Sequence, residues 1–170
     1  MQRFAITALD HRLFQKSQSS RHWRRWATAA RWVSRTGDGP PYLLLALAFW
    51  LSQQQALQAY VLDLLLAFAI ELPLYITLKN TVRRRRPMVA LPGSQALIVP
   101  SDQFSLPSGH TAAAFVMLTM ALLHFGVIAL LALPWALAVG LSRVMLGVHF
   151  PTDIIAGIVL GSSVAVLVAV

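Results

Sequence analysis

The sequence contains no cysteine. Disulfides, a thiol nucleophile and a thiolate metal site are therefore excluded, and no redox compartment is indicated. Acidic residues are scarce as well: Asp10, Asp38, Asp63, Glu71, Asp102 and Asp153 are the only ones in 170 residues. They form no cluster that would hold a hard cation, which disfavours a metal-dependent hydrolase. Charged residues make up 12% of the chain, against roughly 25% in soluble domains, while 57% is hydrophobic. Such a composition describes a polytopic membrane protein rather than a soluble domain. No internal repeat is visible.

What is present in excess is positive charge, with a net value of +8. The basic residues flank apolar spans, so lipid contact and the cytoplasmic Lys/Arg bias explain them without nucleic acid. Met1 to Thr36 carries eight of the fourteen. Trp23, Trp26, Ala30 and Val33 fall on one side of a helical wheel there, with arginines around the rest, which predicts a basic amphipathic helix at the membrane interface. The first apolar stretch begins only near Pro40, which disfavours a cleavable signal peptide. Residues 1–36 thus read as an interfacial segment and residues 37–170 as a membrane-embedded domain.

Gly37-Asp38-Gly39-Pro40-Pro41 predicts a break and a helix start, with Asp38 or Gly39 as N-cap. Five spans follow, for an all-α membrane bundle. The first, about Pro41 to Leu51, is short against the roughly 20 residues a bilayer wants. The second, about Ala56 to Leu78, contains Asp63, Glu71 and Pro73; the two acids share a face and predict interhelical hydrogen bonds. The third runs from Ser108 to Phe125 and the fourth from Val127 to about Leu146, with a kink expected at Pro134. The fifth, Pro151 to Val170, carries Gly157 and Gly161 in the spacing that lets membrane helices pack closely. Between the second and third spans lies a basic, proline-rich loop, Lys79 to Pro107, of a length that is usually functional or disordered. His11, His22 and His124 read as interface or loop residues with no evident partner.

Three polar clusters sit at span ends. Lys79 and Arg86-Pro87 follow the second span, Pro107-Ser108-Gly109-His110 opens the third, and Ser142-Arg143 closes the fourth, with His149 and Asp153 at the start of the fifth. Alternating spans bring all three to one side of the membrane. Intramembrane polar groups of this kind are functional candidates by default. Lys79, Arg86 and Arg143 offer three cations to one anion. Ser108 as an N-cap leaves the N–H groups of Gly109 and His110 at a helix start, where phosphate binds readily, and Gly109 admits a close backbone approach. His149, with Asp153 behind it, fits a nucleophile; His110 fits a general acid.

These residues resemble the type 2 phosphatidic acid phosphatase family. Lys79 with Arg86-Pro87 matches the first part of its signature and Pro107-Ser108-Gly109-His110 the second. Ser142-Arg143, His149 and Asp153 match the third, at the family's spacing. The resemblance covers about Lys79 to Asp153, with the second and fifth spans similar to the family's helical core, and implies a phosphatase that uses no cofactor. His149 would attack phosphorus to form a phosphohistidine, His110 would protonate the leaving oxygen, Asp153 would orient His149, and Lys79, Arg86, Ser108, Gly109 and Arg143 would hold the phosphate. The substrate would be a membrane lipid of the phosphatidate, phosphatidylglycerophosphate or polyprenyl phosphate or diphosphate class. Relative to six-span members, the basic amphipathic segment stands in place of the first span. A non-catalytic phospholipid binder would need neither both histidines nor Asp153, and a vanadate haloperoxidase of the same fold would be soluble and larger.

Orientation follows from charge. With the three phosphate-binding cations set aside, eleven basic residues lie on the active-site side and none in the opposite turns, Ser52 to Gln58 and His124 to Gly126. The expectation is an inner-membrane protein with its active site facing the cytoplasm. No feature of the sequence bears on oligomeric state.

Overall fold

A computed structural model describes residues 2–19, 21 and 23–170, with side chains from Thr7 onward except at 20 and 22. His22 and Met1 lie outside the described residues. Two basic helices, α1 (Gln2–Gln18) and α2 (Trp23–Thr36), precede four longer or apolar ones: α3 (Gly39–Leu51), α4 (Gln55–Val82), α6 (Gly109–Phe125) and α8 (Pro151–Ala169). A short helix, α5 (Pro87–Ala90), interrupts the basic loop, and α7 (Leu133–Met145) follows a 3-10 segment, Gly126–Ala132. The fold is all-helical, and no strand forms among the described residues.

Three helical stretches are long and apolar enough to cross a membrane: Gln55–Val82, Gly109–Met145 and Pro151–Ala169. The middle one folds back after Phe125. Ala136 and Val139 of α7 thereby pack on Ala114, Phe115 and Leu118 of α6. The third and fourth predicted spans are therefore the two arms of a helical hairpin. Pro134 does not kink its helix; it sits in the first turn of α7, where its missing N–H costs nothing. Helix α3 has 13 apolar residues, about 20 Å at the α-helical rise, as short as its sequence predicts.

Helix α6 is the centre. It meets α8 at Gly157 and Gly161, where an added Cβ would lie 2.7 Å from the Ser108 carbonyl oxygen and 2.1 Å from that of Ala112. Two backbones this close leave no room for a side chain, so the glycine pair fixes how near the last helix sits to the start of α6. On the other side α4 packs on α6 through Tyr60, whose hydroxyl donates to the Met117 carbonyl at 3.1 Å. Asp63 accepts the predicted interhelical bond, from His124 at 2.8 Å, so His124 has a partner after all. Glu71 makes no such bond among the described residues.

The basic segment is two helices laid on the bundle rather than one. Trp23, Ala27, Ala30 and Ser34 form the buried face of α2, against α7. Trp26 points away and is 61% exposed, contrary to its placement with Trp23 on the wheel, because the stripe that meets α7 turns toward Ala27 and Ser34 instead. Trp23 also donates its indole N–H to the Met145 carbonyl at 2.9 Å. His11 stacks on Phe150 with ring centroids 5.3 Å apart. The helices α1 and α2 thus lean on the two ends of the turn that carries His149.

Candidate active site

The turn between α7 and α8 holds His149 and Asp153. Gly147 has φ +80°, and a Cβ there would meet the Gln95 carbonyl oxygen at 2.1 Å, so only glycine lets the long loop close over the turn. Val148 N–H donates to the Arg143 carbonyl at 3.2 Å, which holds His149 beneath the end of α7. Pro151 opens α8, and the Asp153 Oδ2 accepts from the Phe150 N–H at 2.7 Å, capping the helix. His149 is 2% exposed. Its Nδ1 lies 3.5 Å from Asp153 Oδ2, longer than a formed hydrogen bond. Its Nε2 faces the Arg86 guanidinium, 3.5 Å from Nη1. Burial first, then the Arg86 and Arg143 charges, push the imidazole pKa down to about 4 against the opposing pull of Asp153. At neutral pH the ring is uncharged and its lone pair is available.

The start of α6 lies alongside. Ser108 is the N-cap, buried, with its hydroxyl accepting from the N–H and hydroxyl of Thr111. The cap leaves the N–H groups of Gly109 and His110 at the helix mouth, where partial positive charge gathers. Ser108 N–H donates to the Asp153 carbonyl at 3.0 Å, a backbone link that ties the second and third clusters together. Gly109 has a packing reason beyond access: an added Cβ would meet the Tyr75 ring at 2.9 Å.

The cations converge, but with partners the sequence does not announce. Lys79 and Arg86 both pair with Asp102, Lys79 Nζ at 2.8 Å from Oδ2 and Arg86 Nη2 at 2.7 Å from Oδ1. Burial alone would raise the Asp102 pKa, but hydrogen bonds from Lys79, Tyr75 and Arg86 hold it down at about 2. Arg143 donates from Nη1 to Ser34 Oγ at 2.6 Å, while its Nε is buried without a partner among the described residues. Arg84 bridges Asp153 Oδ1, at 2.7 Å, to the buried Asp10 of α1, which also bonds Thr152. Asp153 is thus anchored by Phe150 and Arg84. His110 Nε2 lies 2.7 Å from Asp38 Oδ1. Asp38 occupies the predicted N-cap position of α3, yet its side chain makes no cap and serves His110 instead.

All eight sequence-predicted site residues, Lys79, Arg86, Ser108, Gly109, His110, Arg143, His149 and Asp153, therefore gather at one end of the bundle. Sequence reasoning missed Asp38, Asp102, Arg84, Asp10 and Ser34. In a chain with six acids, the isolation of Asp102 in a basic loop and of Asp38 at a helix start was the available signal. Among the described residues no three metal-ligating side chains cluster.

Two cavities meet at the His110–Asp38 pair. One, of about 490 Å³, is polar and lined by Arg31, Ser34 and Arg143. The other, a groove of about 480 Å³, runs along α3, α4 and α6 between Tyr42, Leu64, Phe68 and Met117. Its apolar walls continue from the site into the hydrophobic part of the bundle.

Known proteins resemble this chain in sequence and in fold. The model of the PAP2 superfamily matches residues 60–170. The chain is 36% identical over 95 residues to a decaprenylphosphoryl-5-phosphoribose phosphatase of Mycobacterium tuberculosis, covering 55% of this chain and 50% of the relative. It is 35% identical over 109 residues to phosphatidylglycerophosphatase B of Bacillus subtilis, covering 58% and 51%. It therefore spans about half the length of these curated relatives. Among solved structures, Aquifex aeolicus LpxE superposes with a TM-score of 0.80 at 28% identity over 92% of both chains. A PAP2-type phosphatidylglycerolphosphate phosphatase from Bacillus subtilis gives 0.76 at 25% identity, over 96% of this chain and 84% of that one.

Proposed function

Because the chain belongs to the PAP2 superfamily, we propose that it is a metal-independent membrane phosphatase that removes phosphate from a lipid through a phosphohistidine. The observation that carries this reading is the gathering of two histidines, each beside a carboxylate, with three cations at one end of the bundle, where a polar cavity lined by His110 and Arg143 meets an apolar groove. A phosphate fits the cations and the mouth of α6, and a hydrocarbon tail fits the groove. Lys79, Arg86 and Arg143 neutralise the phosphate oxygens. His149 Nε2 forms a bond to phosphorus as the bond to the leaving oxygen breaks, and His110 gives that oxygen a proton. Water then cleaves the N–P bond. Asp153 keeps His149 in the tautomer that presents Nε2, and stabilises the positive charge the ring acquires. The names of the relatives favour a polyprenyl-linked or glycerophospholipid substrate.

Phosphate release by the purified chain from phosphatidate, phosphatidylglycerophosphate and polyprenyl phosphates in detergent tests this reading. Turnover of at least one of them is expected to persist in EDTA and to be blocked by vanadate, a mimic of five-coordinate phosphorus. Loss of activity in EDTA with recovery on adding magnesium would contradict it.

The active site faces the cytoplasm, with residues 1–36 at the interface and five helices, α3, α4, α6, α7 and α8, crossing in alternation. Exposed Trp26 and Trp32 beside exposed Arg24, Arg25, Arg31 and Arg35 support the interfacial placement. The absence of native cysteine makes the test clean. In intact cells a membrane-impermeant maleimide should label Gln54→Cys, and should label Ser17→Cys only after lysis. The opposite pattern would put the site on the outer face.

A further inference from the structure

Glu71 is the buried ionisable side chain that the chemistry above leaves unused. Each of the other five acids has a partner. Asp10 pairs with Arg84, Asp38 with His110, Asp63 with His124, Asp102 with Lys79 and Arg86, and Asp153 with Arg84. Glu71 is 3% exposed, and its Oε1 is buried with no hydrogen-bond partner among the described residues. A buried carboxyl without a partner loses its hydration for nothing, so its persistence points to a group that is supplied from outside the chain.

Its position says where that group comes from. Glu71 lines the apolar groove that also reaches Gly109, His110 and Asp38. It stands one helical turn before Tyr75, whose ring lies against Gly109, and two turns before Lys79. At the α-helical rise, this places the carboxyl about 6–12 Å along α4 from the phosphate-holding groups. A ligand with its phosphate at the three cations and its tail in the groove must pass Glu71. A carboxylate only accepts hydrogen bonds, and a carboxylic acid also donates one; a hydroxyl can donate and accept, so it satisfies Glu71 in either state. An ammonium group would satisfy the ionised form alone and would lie close to the Lys79, Arg86 and Arg143 charges.

We propose that Glu71 is a specificity-determining residue that binds a hydroxyl of the substrate's lipid portion, so that hydroxyl-bearing lipid phosphates are taken in preference to those with hydrocarbon alone beyond the phosphate. This rests on the reading of the chain as a lipid phosphatase and names a feature of the substrate class.

The test compares two substrates of the purified full chain in detergent: a monoacylglycerol 3-phosphate with a free glycerol hydroxyl, and the same molecule with that hydroxyl replaced by hydrogen. The wild type is expected to favour the hydroxyl form in kcat/KM by about tenfold or more. In Glu71→Leu the ratio should fall to near one through loss on the hydroxyl form only, with the deoxy form unaffected. Glu71→Gln, whose amide also donates and accepts, should keep part of the preference. A wild-type ratio near one, or an equal loss on both substrates in Glu71→Leu, would overturn the assignment and leave the phosphatase reading standing. Failure of the wild type to release phosphate from either of these or from any lipid phosphate would overturn the phosphatase reading, and this inference with it.

Discussion

Replacing His149 by alanine is expected to lower lipid phosphate turnover by about 10,000-fold or more while leaving the bundle folded. The ring is the buried group with a free lone pair turned toward the cations: Nε2 faces Arg86, and Nδ1 faces Asp153. With its pKa pushed down to about 4, it is uncharged when the substrate arrives. The nearby alternatives are committed elsewhere. Ser108 caps α6 through Thr111, and His110 is held by Asp38. Asp153→Asn should cost somewhat less, about 1,000- to 10,000-fold, by the logic of losing the orienting carboxylate of a triad. Its amide could still accept from the Phe150 N–H or from Arg84, so the helix start should survive. Steady-state phosphate release, with thermal melting in detergent as the control for folding, measures both. A His149→Ala variant within tenfold of wild type would exclude His149 as the nucleophile.

The second large effect is expected at His110, and it should depend on the substrate. For an alkyl phosphate, whose leaving oxygen needs a proton, His110→Ala should slow turnover by about 100- to 10,000-fold. For p-nitrophenyl phosphate, whose leaving group departs as a stable anion, the loss should be far smaller. Asp38→Asn should follow the same pattern more weakly, because Asp38 holds one ring nitrogen at 2.7 Å and so fixes the ring. The comparison of kcat/KM across a series of leaving groups separates this role from a structural one. A general acid gives a loss that grows with leaving-group pKa, whereas simple damage to the fold lowers every substrate alike.

The parts of this site that are legible in the sequence are those set by local rules. Ser108 before a helix start, Pro151 and Asp153 in the first turn of another, and the span ends that bring three clusters to one side all follow from chain-local chemistry. Gly157 and Gly161 carry a spacing whose meaning depends only on the helix, and α8 packs on α6 through both. What is not legible depends on long-range contacts. Asp102 reaches Lys79 across 23 residues and Arg86 across 16, through a loop without periodicity. Asp38 looks like an ordinary N-cap until α6 brings His110 within 2.7 Å of it. Arg84 is one of four consecutive arginines, and only the packing of α1 on α8 shows that it, rather than its neighbours, joins Asp10 to Asp153. Trp26 illustrates the limit of the wheel: amphipathicity predicts a buried face, but the surface of α7 selects which stripe is buried.

The central claim is that phosphate passes through His149. It is tested most directly by mixing the purified protein with a lipid phosphate carrying a labelled phosphoryl group, quenching in alkali within milliseconds, and mapping the label by peptide mass. The account predicts an acid-labile, alkali-stable phosphoryl group on the peptide containing His149, absent from His149→Ala. Label on that peptide in His149→Ala, or on a peptide containing His110 or Ser108 in the wild type, would contradict it.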